Sequence, residues 1–430
     1  MKKLLMVCYY FPPLGMGGVQ RPAKFAKYLS SFGWKPTVIT VHPIVYWAHD
    51  PGLLAELQDV DIIRSESLDP QRILAKYRRT EQLSPNSLRE KSSLRNWVLE
   101  QVAPYFFVPD SKIFWRRHAL QSVQTLLENE SFDALYTTSP PHSVHLIGRT
   151  IAQQYGLDWV ADFRDAWAQG VVVREPTFFH RWLHRSMQRS VLQSADAIVA
   201  VSDGISGQLD GKGEFGKKMH IIPNGFDPAD FPQSVTEDAR FTFCHSGSIT
   251  AFSEPTPVLR AMQMIKQEHP HVFSRLRVVY IGLDTTGKFP QQVAEMGLAD
   301  KIIHYGYQSH HHALQQVMSS QALILVALGK TEDHFIPGKT FEYLGSGKPI
   351  VAITNVRDTV HLLQKSGAAH VCHPEDIGAL ATAMLDLVHG RRSWFRPQRE
   401  YIARFDRRRQ TEQLAGILNS FGAQKVSGTE

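Results

Sequence analysis

The chain has 430 residues, too many for one core, and its 43% hydrophobic and 20% charged residues describe an ordinary globular protein, so two α/β domains are expected. Its longest apolar run, about 322–328, is too short to span a bilayer, and three scattered cysteines, Cys8, Cys244 and Cys372, form neither a disulfide framework nor a metal-ligand spacing. The net charge of +6 is local: residues 71–118 hold ten Lys and Arg against four acids, and the rest of the chain is balanced.

The opening Met1-Lys2-Lys3 and the apolar stretch 4–11 resemble a signal segment. That stretch carries Tyr9 and Tyr10 and ends at Pro12-Pro13 without a small-residue cleavage site. A first strand over 4–10 and an unexported protein are expected instead. A loop with Gly15, Gly17 and Gly18 follows, then a helix over 19–32 with apolar residues at helical spacing, closed by Gly33. A strand over 36–41 completes a β-loop-α-β unit, whose parallel strands require such a crossover.

Residues 70–109 read as a helical insertion. Across 71–118 the basic side chains alternate with Tyr77, Trp97, Tyr105, Phe106, Phe107, Phe114 and Trp115, which suits either an anionic surface or a solvated helical face with core aromatics. No nucleic-acid motif accompanies the charge, so nucleic acid is not an expected partner. Further strands are expected at 134–137, 159–161 and 197–201. Glycine and charge over 211–218 and the turn Pro223-Asn224-Gly225-Phe226-Asp227 mark a boundary. A second alternation follows, with strands at 241–245, 276–281, 301–305, 322–327, 349–353 and 369–372, then basic helices over 391–421. Strands alternating with helices imply parallel sheets.

The most informative stretch is Pro337-Gly338-Lys339-Thr340-Phe341-Glu342-Tyr343-Leu344-Gly345-Ser346-Gly347-Lys348-Pro349. Pro337 and Gly338 open a helix whose free N–H groups and positive dipole end suit an anion, and Lys339 adds a compact cation. Glu342, three residues on, shares a helix face with Lys339 and suits ribose hydroxyls. A solvent-facing Lys–Glu pair would give the same pattern. Gly345, Gly347 and Pro349 end the helix.

This stretch resembles the C-terminal donor signature of glycosyltransferase family 4, whose architecture is GT-B. Similar blocks follow the family's order: Tyr10-Phe11-Pro12-Pro13 with Gly17-Gly18-Val19-Gln20-Arg21, Ser139-Pro140-Pro141-His142-Ser143, Asp162-Phe163-Arg164-Asp165-Ala166-Trp167, Ile222-Pro223-Asn224-Gly225-Phe226-Asp227 and His245-Ser246-Gly247-Ser248. The resemblance implies two Rossmann-like domains facing each other across a cleft. It also implies transfer of a sugar from a nucleotide donor, with retention at the anomeric carbon and no required metal. It places Lys339, Gly338, Gly247 and Ser248 near the donor diphosphate and Glu342 on the ribose. Where the family's first motif Glu falls, this chain has His334, after Glu332 and Asp333. The cation the family carries after the strand ending near Gly247 is missing; Arg260 is the nearest substitute.

In the N-terminal half, Arg164 stands where many relatives carry a His near the donor sugar, flanked by Asp162 and Asp165. These three are the expected catalytic residues, with an inter-strand ion pair as the structural alternative. Gly17 and Gly18 either admit a ligand to the helix start or serve a turn needing positive φ. His142 suits acceptor contact, helix capping or core packing. Trp159 and Trp167 are expected to pack, and the consecutive His310-His311-His312 point apart on a helix, so no metal site is expected.

The expected organisation is an acceptor-side domain over 1–222, a donor domain over 223–405 and a C-terminal helix or tail over 406–430. The expected protein is cytoplasmic, with 71–118 as its candidate contact to the inner face of a membrane. It would use a UDP- or GDP-sugar as substrate, no cofactor, and a glycan or lipid-linked acceptor. A nucleotide-sugar 2-epimerase and a non-catalytic nucleotide-sugar-binding subunit are the alternatives.

Overall fold

A computed structural model describes residues 1–15, 17–46, 48–69, 72–73, 104–167, 175–236, 240–330 and 333–427, with side chains as far as 421. The chain forms two compact units, Met1–Pro223 with Arg408–Glu430, and Asn224–Arg407. Most of the expected insertion at 70–109 lies outside the described residues.

The first unit is a parallel sheet of seven strands among the described residues: β1 (Lys2–Val7), β2 (Trp34–Val41), β3 (Asp61–Ser65), β4 (Ala134–Ser139), β5 (Asp158–Phe163), β6 (Ala197–Ala200) and β7 (Met219–Ile221). Their order is β3-β2-β1-β4-β5-β6-β7. The register sets Leu4 beside both Pro36 and Ala134, and Thr138 beside Asp162. The second unit has six strands, β8 (Phe241–Ser246), β9 (Leu276–Ile281), β10 (Ile302–His304), β11 (Ala322–Ala327), β12 (Ile350–Thr354) and β13 (Ala369–Cys372), ordered β10-β9-β8-β11-β12-β13 and again parallel. Each sheet reverses its winding next to its first strand, between β1 and β4 and between β8 and β11. Ligands of open parallel sheets sit beyond the strand carboxyl ends at such a switch point.

The central strands β4, β5, β8 and β11 are almost wholly buried because helices cover both faces, and β11 is an unbroken apolar run. All six residues of β11, Ala-Leu-Ile-Leu-Val-Ala, are buried. The edge strands β3 and β7 were not expected. β3 is Asp-Ile-Ile-Arg-Ser and β7 only Met-His-Ile, both mostly half-buried, so neither carries the buried-strand signal. β1 stops at Val7 rather than residue 10, because Cys8 to Leu14 leave the sheet as the loop above it.

The last segment is not an independent tail. The helix Arg407–Ser427 carries Leu414, Ala415, Leu418 and Phe421 into the core cluster that holds Leu4, Met6, Phe25 and Trp34. The Trp34 indole Nε1 donates to Asn419 Oδ1 at 3.2 Å. An apolar stripe at three- and four-residue spacing needs a surface to cover, and the first unit's sheet layer supplies it.

Candidate functional site

In the second unit, glycines follow three adjacent strands directly or after one intervening residue: Gly247 after β8, Gly282 after β9 and Gly306 beyond Tyr305 after β10, all with positive φ. The Gly247 N–H donates to Ile281 O at 2.6 Å and the Gly282 N–H to Gly306 O at 2.7 Å. A Cβ on Gly282 would lie 2.4 Å from the Gly247 carbonyl carbon, so the strand ends close at a spacing only glycine permits. Gly282 and Gly306 escaped the sequence reading, although each sits just past an apolar run.

A Cβ on Gly247 would lie 2.5 Å from Lys339 Nζ. The cation therefore sits against the bare backbone at the end of β8, beside the switch point. Lys339 begins the helix Lys339–Ser346, with exposed Gly338 as its N-cap. The Lys339 ammonium lies 2.9 Å from His245 Nε2, and the His245 Nδ1 lies 3.1 Å from Ile324 O. These contacts fix the tautomer: Nδ1–H donates to the carbonyl, and Nε2 accepts from the lysine. Burial, helped by the Lys339 charge, holds His245 well below the usual histidine range, so the ring is neutral. Burial also pulls Lys339 down to about 7, against the opposing attraction of Glu342. No carboxylate lies within salt-bridge distance of this ammonium among the described residues.

Glu342 Oε1 accepts from His310 Nε2 at 3.0 Å, and His310 Nδ1 lies 3.8 Å from Asp230 Oδ2. A carboxylate offers about four acceptor positions, so hydroxyls can still bond to it. The first residue of the histidine triplet thus serves Glu342, a partnership no spacing rule showed. His311 instead meets Gln315 at 3.0 Å. His334 Nδ1 lies 3.2 Å from Asp358 Oδ1, and Ser248 O accepts from Ser253 Oγ at 2.7 Å. Arg260 is exposed on the helix Thr256–Glu268. Buried Tyr343 sets the Lys339 helix against β8, its hydroxyl accepting from the Ser246 N–H at 2.6 Å.

In the first unit the charged cluster after β5 separates into different roles. Asp162 is wholly buried and saturated. Its carboxylate accepts from Arg21 Nη2 at 2.8 Å, Arg21 Nε at 2.9 Å, Tyr136 Oη at 2.6 Å and Thr138 Oγ1 at 2.9 Å. Burial would raise its pKa, yet Arg21, Tyr136 and Thr138 hold it below the usual carboxylate range. Asp162 therefore belongs to the core and not to the open strand end, which corrects its expected catalytic role. Arg21, quoted only as part of a motif, is its charge partner.

Arg164 forms no ion pair within 4 Å with Asp165 or any other described acid. It donates to three carbonyls instead: Nε to Ser139 O at 2.9 Å, Nη2 to Pro140 O at 3.0 Å, and Nη1 to Gly18 O. The guanidinium thus ties the glycine loop and the end of β4 to β5 across the switch point. Neither Gly17 nor Gly18 takes positive φ, so a left-handed turn is not their reason. A Cβ on Gly18 would lie 3.1 Å from Arg164 Nη1, so a side chain there would crowd the guanidinium. Asp165 has no hydrogen bond among the described residues, and burial raises its pKa against the pull of Arg164.

His142 does not reach the open end. It is 1% exposed and stacked on Trp167, with ring centroids 4.9 Å apart and planes at 10°. No hydrogen bond of normal geometry reaches either ring nitrogen, although the Ala166 backbone lies close. Its expected acceptor contact is corrected to core packing. Burial, then the neighbouring His145 and His184 and Arg164, keep it neutral. Trp159 and Trp167 are both wholly buried.

Residues 16–225 match the family model described as "Glycosyl transferase 4-like domain", and residues 241–390 match "Glycosyl transferases group 1". No curated protein matches the chain. Among solved structures, sucrose-phosphate synthase from Thermosynechococcus elongatus is 14% identical with a TM-score of 0.65, covering 99% of this chain and 100% of its own. HepE of Anabaena in complex with UDP is 15% identical with a TM-score of 0.61, covering 98% and 100%. A glycosyltransferase from Rickettsia africae is 15% identical with a TM-score of 0.62, covering 97% and 98%. At these identities the likeness is one of fold.

Proposed function

We propose that this chain, which belongs to the family 4-like glycosyltransferases and has the GT-B fold, moves a sugar from a nucleotide-sugar donor to a glycan or lipid-linked acceptor. The observation that carries the reading is the half-buried Lys339 ammonium, set at a helix start against Gly247 with no acid within salt-bridge distance among the described residues. A partly buried cation without a counterion carries a desolvation cost, which an anionic ligand would offset. A diphosphate fits, because the helix amides and the ammonium would stabilise charge as it develops on the leaving group. That HepE was solved with UDP supports a nucleotide-bearing donor. We assign the ribose to Glu342, with His310 orienting its carboxylate.

In the first unit, Asp165 and the Arg164 knot are assigned to the transferred sugar or the acceptor. Retention at the anomeric carbon, independence of metal, and a role in polysaccharide or glycolipid assembly at the cytoplasmic face belong to the same proposal. No helix among the described residues is long and apolar enough to cross a membrane.

Incubation with UDP- and GDP-sugars tests the reading: slow donor hydrolysis is expected. An isomerised sugar would identify an epimerase, and binding without turnover a non-catalytic subunit. Glu342→Gln is expected to weaken donor binding at least several-fold by calorimetry, since a charged hydrogen bond contributes about 1.5–3 kcal/mol. Unchanged affinity would remove Glu342 from the site. Asp165→Asn is expected to lower turnover well beyond any change in donor affinity, the pattern of contacts made in the transition state. If turnover per folded molecule holds, Asp165 leaves the assignment.

A further inference from the structure

We propose that Tyr10 and Tyr46, paired on the loops that follow β1 and β2, form with Asp165 a subsite for an uncharged sugar ring of the acceptor. The inference rests on the transferase reading and narrows it: whether the acceptor is a free glycan or lipid-linked, the group it presents here is a saccharide ring.

Both loops leave the sheet at strand carboxyl ends, with Tyr10 three residues past β1 and Tyr46 five past β2. Backbone hydrogen bonds lock one loop to the other. The Gly15 N–H donates to Ala48 O at 2.9 Å and the Asp50 N–H to Pro13 O at 2.8 Å, and Leu14 pairs with His49. Arg64 Nη2 adds a bond to Pro12 O at 2.6 Å. Side chains on loops held this way are preorganised, so a ligand has little left to order. The Tyr10 and Tyr46 rings lie 5.2 Å apart with planes tilted by 36°, and Tyr9 packs edge-on against Tyr10 at 5.0 Å. Buried Tyr9 is anchored, its hydroxyl donating to Asp69 Oδ2 at 2.6 Å. Tyr10 and Tyr46 are only half-buried, which leaves the pair an accessible side.

Unlike Tyr9, neither of these tyrosines has a hydrogen-bond partner for its hydroxyl among the described residues. A phenol set among protein neighbours normally finds one. Burial raises the pKa of both, and the Arg164 charge opposes the rise. Asp165 shows the same pattern: no hydrogen bond among the described residues, a pKa raised by burial, and Arg164 pulling the other way. Three open polar groups thus stand within reach of one guanidinium, which is itself committed to the Ser139, Pro140 and Gly18 carbonyls. Aromatic walls with a few placed polar groups are how proteins hold small molecules. A pyranose fits this set: its C–H face lies on the rings, and its hydroxyls donate to the carboxylate and bond to the phenols. An acyl chain would leave all three polar groups unsatisfied.

The test is saturation-transfer NMR of the full chain with the methyl glycosides of glucose, galactose, mannose and N-acetylglucosamine, and with sorbitol as a polyol that has no ring face. At least one glycoside is expected to take up saturation, most strongly at its ring C–H protons, and sorbitol none. Tyr46→Ser should weaken that binding about tenfold. The double variant Tyr10→Phe, Tyr46→Phe keeps the rings and should weaken it about fivefold through the lost hydroxyls. Should Tyr46→Ser not fold, the double variant decides. Affinity for UDP or GDP by calorimetry should match the wild type in each variant, because the nucleotide is assigned to the second unit. The proposal is overturned by no glycoside binding, by equal binding of sorbitol, by variants that bind glycoside unchanged, or by a matching loss of nucleotide affinity. A failure of the transferase reading is seen separately, as a wild-type chain that neither binds UDP or GDP nor hydrolyses a donor, and it would take the proposal with it.

Discussion

Nucleotide-sugar affinity is expected to weaken as pH rises through about 7, where burial has moved Lys339. Only the ammonium attracts the diphosphate, whose own charge is constant in this range for a sugar-linked donor. If the cation supplies the main contact, apparent Kd rises by about tenfold per pH unit above the lysine pKa. Folding stability should move the other way. Below pH 7 the lysine is protonated both folded and unfolded, and the folded state carries the cost of its partial desolvation. Between 7 and the ordinary value of 10.5 the unfolded chain holds a proton the folded chain has lost, so stability rises with pH across that window. Opposite slopes for binding and stability separate a loss of donor contact from unfolding. Lys339→Met should abolish the pH dependence of binding and lower affinity by about a hundredfold, as expected for a desolvated charge–charge contact. Calorimetry with a UDP- or GDP-sugar at several pH values is the check, and a flat profile in the wild type removes Lys339 from the diphosphate.

Asp162→Asn is expected to cost about 3–5 kcal/mol of stability, the largest such effect of any substitution proposed. The change leaves the Arg21 guanidinium buried without its counterion, since both side chains are wholly inaccessible. Tyr136 and Thr138 lose a charged acceptor at the same time. The midpoint of urea unfolding should drop sharply while turnover per folded molecule holds. A normal midpoint with lost turnover would return Asp162 to the catalytic group. The pair also predicts acid sensitivity. The Asp162 pKa is depressed in the folded state, so its stabilisation is present above the usual carboxylate range and is lost as pH falls through the folded value.

The sequence determined the architecture because parallel strands buried on both faces are rich in apolar residues, and β11 and β12 read that way without any tertiary knowledge. It also determined the Gly338-Lys339 and Glu342 helix start, since a glycine, a cation and a carboxylate at fixed offsets on one helix are local geometry. What lay beyond it was pairing across the fold. His245 and Lys339 are 94 residues apart, Arg21 and Asp162 141, and Arg164 and Gly18 146. Nothing local tells Asp162, saturated in the core, from Asp165, three residues on with no hydrogen bond among the described residues. Adjacent positions on a strand end point to opposite sides, and only the sheet fixes which side holds Arg21. The same reason hid His310, whose value lies in reaching Glu342, and turned His142 from a candidate contact into a ring stacked on Trp167. Charge counted along 71–118 carries no information on burial: Lys112 is drawn inward to Asp69, while residues 74–103 lie outside the described residues. Residue type and spacing fix which chemistry is available; burial and long-range partners decide which groups remain free to perform it.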